Sequence, residues 1–223
     1  AVDMVFIVSG FLIFWSFNAD QNKKNFFIKR FFRVFPLYAI LIILQTLFFM
    51  GFSDGNLMEI TNYFLANISF LNFLSPSVGT TFNNLEINAI NGSLWTIKNE
   101  VAFYVLMPLI FFFYKKMGIF FLLTLYGLSV LYMFFIDYLE LSTLLVLFPA
   151  QLRLFTVGIL LYILFDKMQN KHNYSLVVGS FLLIVLFKDV HYFKFLIYPF
   201  LLGYVMMYIV FFVKNISINF DFS

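Results

Sequence analysis

A carboxylate carried into an apolar helix is the first chemistry this sequence offers. Residues 91–100 read Asn-Gly-Ser-Leu-Trp-Thr-Ile-Lys-Asn-Glu, and apolar residues then run almost unbroken to Tyr114. If Ser93 caps a helix there, Glu100 sits seven residues in, roughly 10 Å along the axis. Asn91 and Ser93 can satisfy orphan amides at the helix start, and Gly92 permits a tight turn ahead of it. Trp95 suits a membrane interface, where its ring is buried and its N–H stays wet. Glu100 shares a face with Thr96 and Tyr104, four residues to either side. Pro108 leaves the Tyr104 carbonyl without its helical donor, so a kink is expected just inside that face. Ionisable groups at such depth face a protein interior or a wet cavity and have a partner, which makes Glu100 the first candidate for a functional residue. The plain alternative is a capped helix whose Glu is paired to a structural cation.

A second group of residues is basic. Lys23, Lys24, Lys29, Arg30 and Arg33 crowd one segment. Arg30 and Arg33 lie three apart, so both guanidinium groups can meet one ligand, and their fork matches phosphate oxygens better than lysine does. A topology anchor is the other explanation. Arg153 falls within an apolar run interrupted at Pro149 and needs an anion nearby; Glu100 and a bound ligand are both candidates, with Lys98 a competing cation nearer the interface. Asp3, at the outer end of the first apolar run, is either a ligand-binding group or an interfacial residue. Ser9 and Gly10 allow either ligand contact or close helix packing. His172 and His191 fall in short polar connections, and with no Cys in the chain there is no disulfide, thiolate nucleophile or Cys-based metal site. No metal centre is expected from two distant histidines. Neither a Walker-type loop nor a dinucleotide fingerprint is present.

Composition dictates the elements that must position these groups. The chain is 63% hydrophobic and 11% charged with a mean hydropathy of +0.95, whereas about a quarter of the residues of a soluble domain are charged. The 36 Phe and 13 Tyr lie in runs too evenly apolar for the in-out alternation of a barrel. An all-α, polytopic transmembrane helical bundle is therefore expected. Seven spans fall at 2–17, 34–52, 95–114, 117–136, 142–165, 174–187 and 195–213. The first has no charged segment before it and no cleavage site after it, unlike a signal peptide. Residues 60–74, interrupted by Asn62, Asn67 and Asn72 and ended by Pro76, read as interfacial or re-entrant. With that segment not crossing, Lys23 to Arg33, Lys115, Lys116, Lys167, Lys171 and Lys214 share one side, which the positive-inside rule makes cytoplasmic. The net charge of +3 follows this topology. The loop segment 51–92 is then extracytoplasmic, and it is long enough to shape a binding surface.

Taken in order, several motifs carry a resemblance. Val-Asp-Met-Val-Phe-Ile-Val-Ser-Gly-Phe-Leu-Ile opens the chain at 2–13. Phe-Ile-Lys-Arg-Phe-Phe-Arg-Val-Phe-Pro-Leu-Tyr follows at 27–38, then the 91–100 segment with Val-Ala-Phe-Tyr-Val-Leu-Met-Pro at 101–108; Arg153, Phe155 and Gly158 add a further position. This set resembles the acyltransferase-3 family of polytopic bacterial membrane proteins, which O-acylate surface polysaccharides and other glycans. The resemblance implies one acyltransferase domain over 1–223, seven spans of about ten, in the bacterial cytoplasmic (inner) membrane. It implies acyl-CoA, acetyl-CoA above all, as a cytoplasmic donor and a sugar hydroxyl as acceptor, with no bound cofactor and no nucleic acid partner. Asp3, Ser9, Arg30, Arg33, Asn91, Ser93, Trp95, Tyr104 and Arg153 would contact substrate, and Glu100 would support a histidine base. That histidine belongs to a span expected ahead of Ala1, and a further helix is expected after Ser223, so the chain reads as a fragment inactive alone. The rival function is a transporter or flippase of lipid-linked glycans, which would also line a cavity with Glu100, Arg153 and aromatic rings. An inverted repeat would favour it, and none is seen between the two halves.

Overall fold

The computed structural model describes residues 2–72, 74–80, 94–168, 174–187 and 190–212. These are all helix and turn, without a strand among the described residues, which makes the protein an all-α membrane helical protein. The chain divides into two compact units, residues 20–104 and residues 1–19 with 105–223.

The 20–104 unit is built on α2 (Lys23–Phe52), α3 (Leu57–Ile68) and the first turns of α4 (Leu94–Met117). The Asn22 side chain accepts from the amides of Lys24 and Asn25 at 3.1 and 3.3 Å and starts α2. The basic segment Lys23–Arg33, expected to be a loop, is therefore the first three turns of a helix instead. Asn22 also donates its amide to Asp20, which holds that exposed carboxylate below its usual range. Tyr38 and Ile42 of α2 pack on Leu94 of α4. The outer end of α2, residues 43–52, thus runs roughly 15 Å past the start of α4. There Phe49 meets Tyr63 of α3, with Ile60 and Val78 completing the cluster.

At 12 residues α3 is about 18 Å long, too short for a core of about 30 Å, as expected of an interfacial segment. Its buried polar atoms are paired within the unit. Tyr63 donates to the Gln45 side chain at 2.8 Å, Tyr38 to the Asn67 carbonyl at 2.7 Å, and Asn67 to the carbonyls of Tyr63 and Ser75. Beyond α3, the Thr80 amide and hydroxyl both donate to Asp54, past Gly79 at φ +59°. A Cβ on Gly79 would lie 2.2 Å from Asp54 Oδ1, so this turn needs glycine both for its backbone and for the carboxylate's approach.

The other unit comprises α1 (Val2–Ala19), the remainder of α4, α5 (Ile119–Tyr138), α6 (Phe148–Met168), α7 (Tyr174–Leu186), α8 (His191–Leu196) and α9 (Tyr198–Phe212). Its closest crossing is that of α1 on α6. A Cβ on Gly10 would lie 2.2 Å from the Phe155 carbonyl oxygen, and one on Gly158 2.1 Å from that of Ile7. Ser9 and Gly10 therefore serve helix packing, and Gly158 is its counterpart. Aromatic rings seal the flanks: Phe6 on Phe155 at 4.9 Å, and Phe14 on Phe111 and Tyr162 at 5.6 and 5.3 Å.

Four described helices, α1, α2, α4 and α5, are long and apolar enough to cross a membrane. The other three expected spans coincide with shorter apolar stretches, Phe148–Leu164, Leu176–Leu186 and Tyr198–Ile209. The expected 142–165 span is broken, because the Ser142–Val146 turn of 3-10 helix precedes α6 and Pro149 lies in its first turn. α4, by contrast, stays helical through Pro108.

Candidate functional site

The candidate residues gather in two polar clusters, one in each unit. In the 20–104 unit, Tyr104 is buried and its hydroxyl donates to the Glu100 carboxylate, one helical turn back. Their i, i+4 spacing on α4 makes the pair local, and the shared face expected from the sequence is realised. The Arg30 guanidinium lies 5.5 Å from the centre of the Phe26 ring and 5.7 Å from that of Tyr104. Phe26 meets Tyr104 edge-on at 6.4 Å. Arg30 Nε is buried with no hydrogen-bond partner among the described residues. The charges acting on Arg30 include Arg33 and Glu100, while Arg33 itself is exposed.

Its surroundings distinguish Arg30 from an ordinary anchor. Tyr104 is ten residues into α4, roughly 15 Å from Leu94. An arginine serving only as a topology anchor snorkels its head toward the headgroups. Arg30 instead lies against two aromatic rings, with its Nε buried and unpartnered among the described residues. Arg30 and Glu100, assigned by the topology count to opposite ends of the protein, belong to one cluster because α2 and the start of α4 pack in antiparallel register. Trp95 is half-buried on the first turn of α4; Asn91 and Ser93 lie outside the described residues.

The second cluster surrounds Arg153, which is only 6% exposed on α6. Its Nη1 donates to the Lys194 carbonyl at 3.1 Å and its Nε meets Met133 Sδ at 2.9 Å. The anion that acts most strongly on it is Asp3 of α1, not Glu100 as the sequence suggested. Asp3 in turn accepts a hydrogen bond from Tyr198. The Arg153 amide donates to Ser129 Oγ at 3.0 Å, and that hydroxyl donates to the Pro149 carbonyl at 2.6 Å. Ser129 thus reaches from α5 to the two backbone groups that a regular helix pairs with each other. Tyr126, one turn back on α5, donates to the Leu196 carbonyl at 2.7 Å. These partners belong to the protein itself, so Asp3 and Arg153 read as a frame joining α1, α6, α8 and α9.

Sequence reasoning overlooked Phe26, Tyr126, Ser129, Met133 and Tyr198. The α5 trio had a signal, since 126, 129 and 133 fall on one helical face that carries two hydroxyls in an otherwise apolar segment. Phe26 and Tyr198 had none; their roles come from tertiary contacts. Among the described residues no group of three or more His, Cys, Asp or Glu is arranged to hold a metal ion.

A family model described as an acyltransferase domain, that of the acyltransferase-3 family, matches residues 1–220. No curated protein and no solved structure gives a significant match. Apolar helices long enough to cross a membrane and a family match over almost the whole chain converge, and the chain belongs to the acyltransferase-3 family of membrane acyltransferases.

Proposed function

We propose that the protein is an O-acyltransferase of the bacterial inner membrane, moving an acyl group, acetyl in the simplest case, from acyl-CoA to a sugar hydroxyl of a polysaccharide or lipid-linked glycan. The observation that carries this reading is the Glu100–Tyr104–Arg30 cluster, a cation suited to phosphate beside a carboxylate suited to proton transfer. Arg30, with Arg33 at the exposed rim, receives the phosphates of the donor. The sugar hydroxyl oxygen attacks the thioester carbonyl carbon, the carbon–sulfur bond breaks, and the thiolate leaves. The hydroxyl proton passes to a base steadied by Glu100 and ends on the departing sulfur, help that a neutral hydroxyl needs as a poor nucleophile. Trp95, on the first turn of α4, is assigned to the acceptor, together with Asn91 and Ser93, which precede it in the sequence. Acyl transfer is preferred to a carrier of lipid-linked glycans because the matching family is one of acyltransferases.

Glu100→Gln keeps the shape and removes the charge. At normal membrane abundance, we expect glycan acylation to fall by about 10²–10⁴-fold. Full-rate acylation by that variant would overturn the role of Glu100.

A further inference from the structure

Arg30 cannot serve a donor phosphate and Glu100 equally at the same time, and the geometry around Tyr104 bears on that conflict. The Tyr104 hydroxyl donates to Glu100 and accepts from Arg30, and its ring lies by the Arg30 guanidinium. A phenol that donates to a carboxylate spreads and partly satisfies its charge, and the same Tyr104 oxygen accepts from Arg30, so it stands between the carboxylate and the guanidinium. Phe26 covers Arg30 from a second direction, again through a ring face. The result is a half-buried guanidinium set against two rings and one phenol oxygen, with its buried Nε unpaired among the described residues. An unpaired buried donor is costly, so the resting arrangement has a standing demand for an acceptor.

We propose that Tyr104 is a positioning residue that keeps Glu100 from closing onto Arg30, so that donor phosphate and Glu100 compete for one guanidinium. This rests on the reading of Arg30 as the donor-phosphate site and adds a coupling to it. Phosphate binding draws the guanidinium's charge away from Glu100. Glu100 is then free to steady the base when the donor is in place, which makes donor binding precede acceptor activation. Arg33, exposed one turn further along α2, adds charge for the phosphates without entering the competition.

The test is the affinity of detergent-extracted protein for coenzyme A, measured by calorimetric titration, with a melting scan of each variant to confirm folding. Glu100→Gln should bind coenzyme A about three- to tenfold more tightly, since one competing charge at the edge of a partly screened site is removed. Tyr104→Phe keeps the ring but frees Glu100 to pair with Arg30, and should bind several-fold more weakly. Combining Tyr104→Phe with Glu100→Gln should restore tight binding. Unchanged affinity in both single variants, alongside weakened binding in Arg30→Lys, would overturn the competition and leave the donor site standing. Unchanged affinity in Arg30→Lys would remove the donor site itself and the competition with it. If Glu100→Gln is not recovered folded, the comparison of Tyr104→Phe with the native protein decides alone.

Discussion

Arg153 is a buried charge with partners inside the protein. Its guanidinium is occupied by a backbone carbonyl and a thioether, and its countercharge comes from Asp3. Arg153→Met should therefore cost stability, about 3 kcal/mol, by leaving Asp3 uncompensated. Adding Asp3→Asn should recover part of that loss, a coupling that a double-mutant cycle of melting in detergent would read. An Arg153 reserved for substrate would lose activity with stability intact. The difference in legibility between the two clusters has a simple physical origin. Glu100 and Tyr104 are one turn apart on a single helix, so their meeting is written in the local sequence. Asp3 and Arg153 meet only because two distant helices cross, and no spacing rule predicts which of several intramembrane ions will pair.

At the scale of elements, glycine decides how α1 and α6 meet. Alanine at Gly10 would bring its Cβ within 2.2 Å of the Phe155 carbonyl oxygen, and at Gly158 within 2.1 Å of that of Ile7. Backbone cannot yield as a side-chain tip can, so each substitution should cost at least the roughly 1–3 kcal/mol of ordinary overpacking. Both variants should show lower membrane abundance and a lower melting temperature, whereas Gly127→Ala on α5, with open space around it, should not. The packing role of Ser9-Gly10 was readable as a small-residue step, but its partner at Gly158 was not. Two boundaries were also hidden. Asn22 extends α2 back through the basic segment, which hydropathy alone scores as a loop. α3, whose apolar residues resemble a failed span, is a short helix with its own buried hydrogen bonds.

For the whole molecule, the all-helical membrane class follows directly from composition, because only helices and closed barrels satisfy the backbone in lipid. Sidedness rests on the distribution of lysine and arginine, and the absence of cysteine allows a background-free test. A single cysteine at Gln21 should be labelled by a membrane-impermeant thiol reagent only from the cytoplasmic side, and one at Thr61, exposed on α3, only from the opposite side. The reverse pattern would invert the topology and exchange the donor and acceptor faces. The glycine crossing also sets an order of events during synthesis. Gly10 and Gly158 are about 150 residues apart, so at roughly 5–20 residues per second α1 waits on the order of 10–30 s for its partner. Throughout that interval Asp3 has no Arg153 to neutralise it, and α1 carries that carboxylate in or beside the bilayer without its later partner. Its hold on the membrane during translation is therefore weaker than in the finished protein, and the ribosome's progress to α6 is what locks it in.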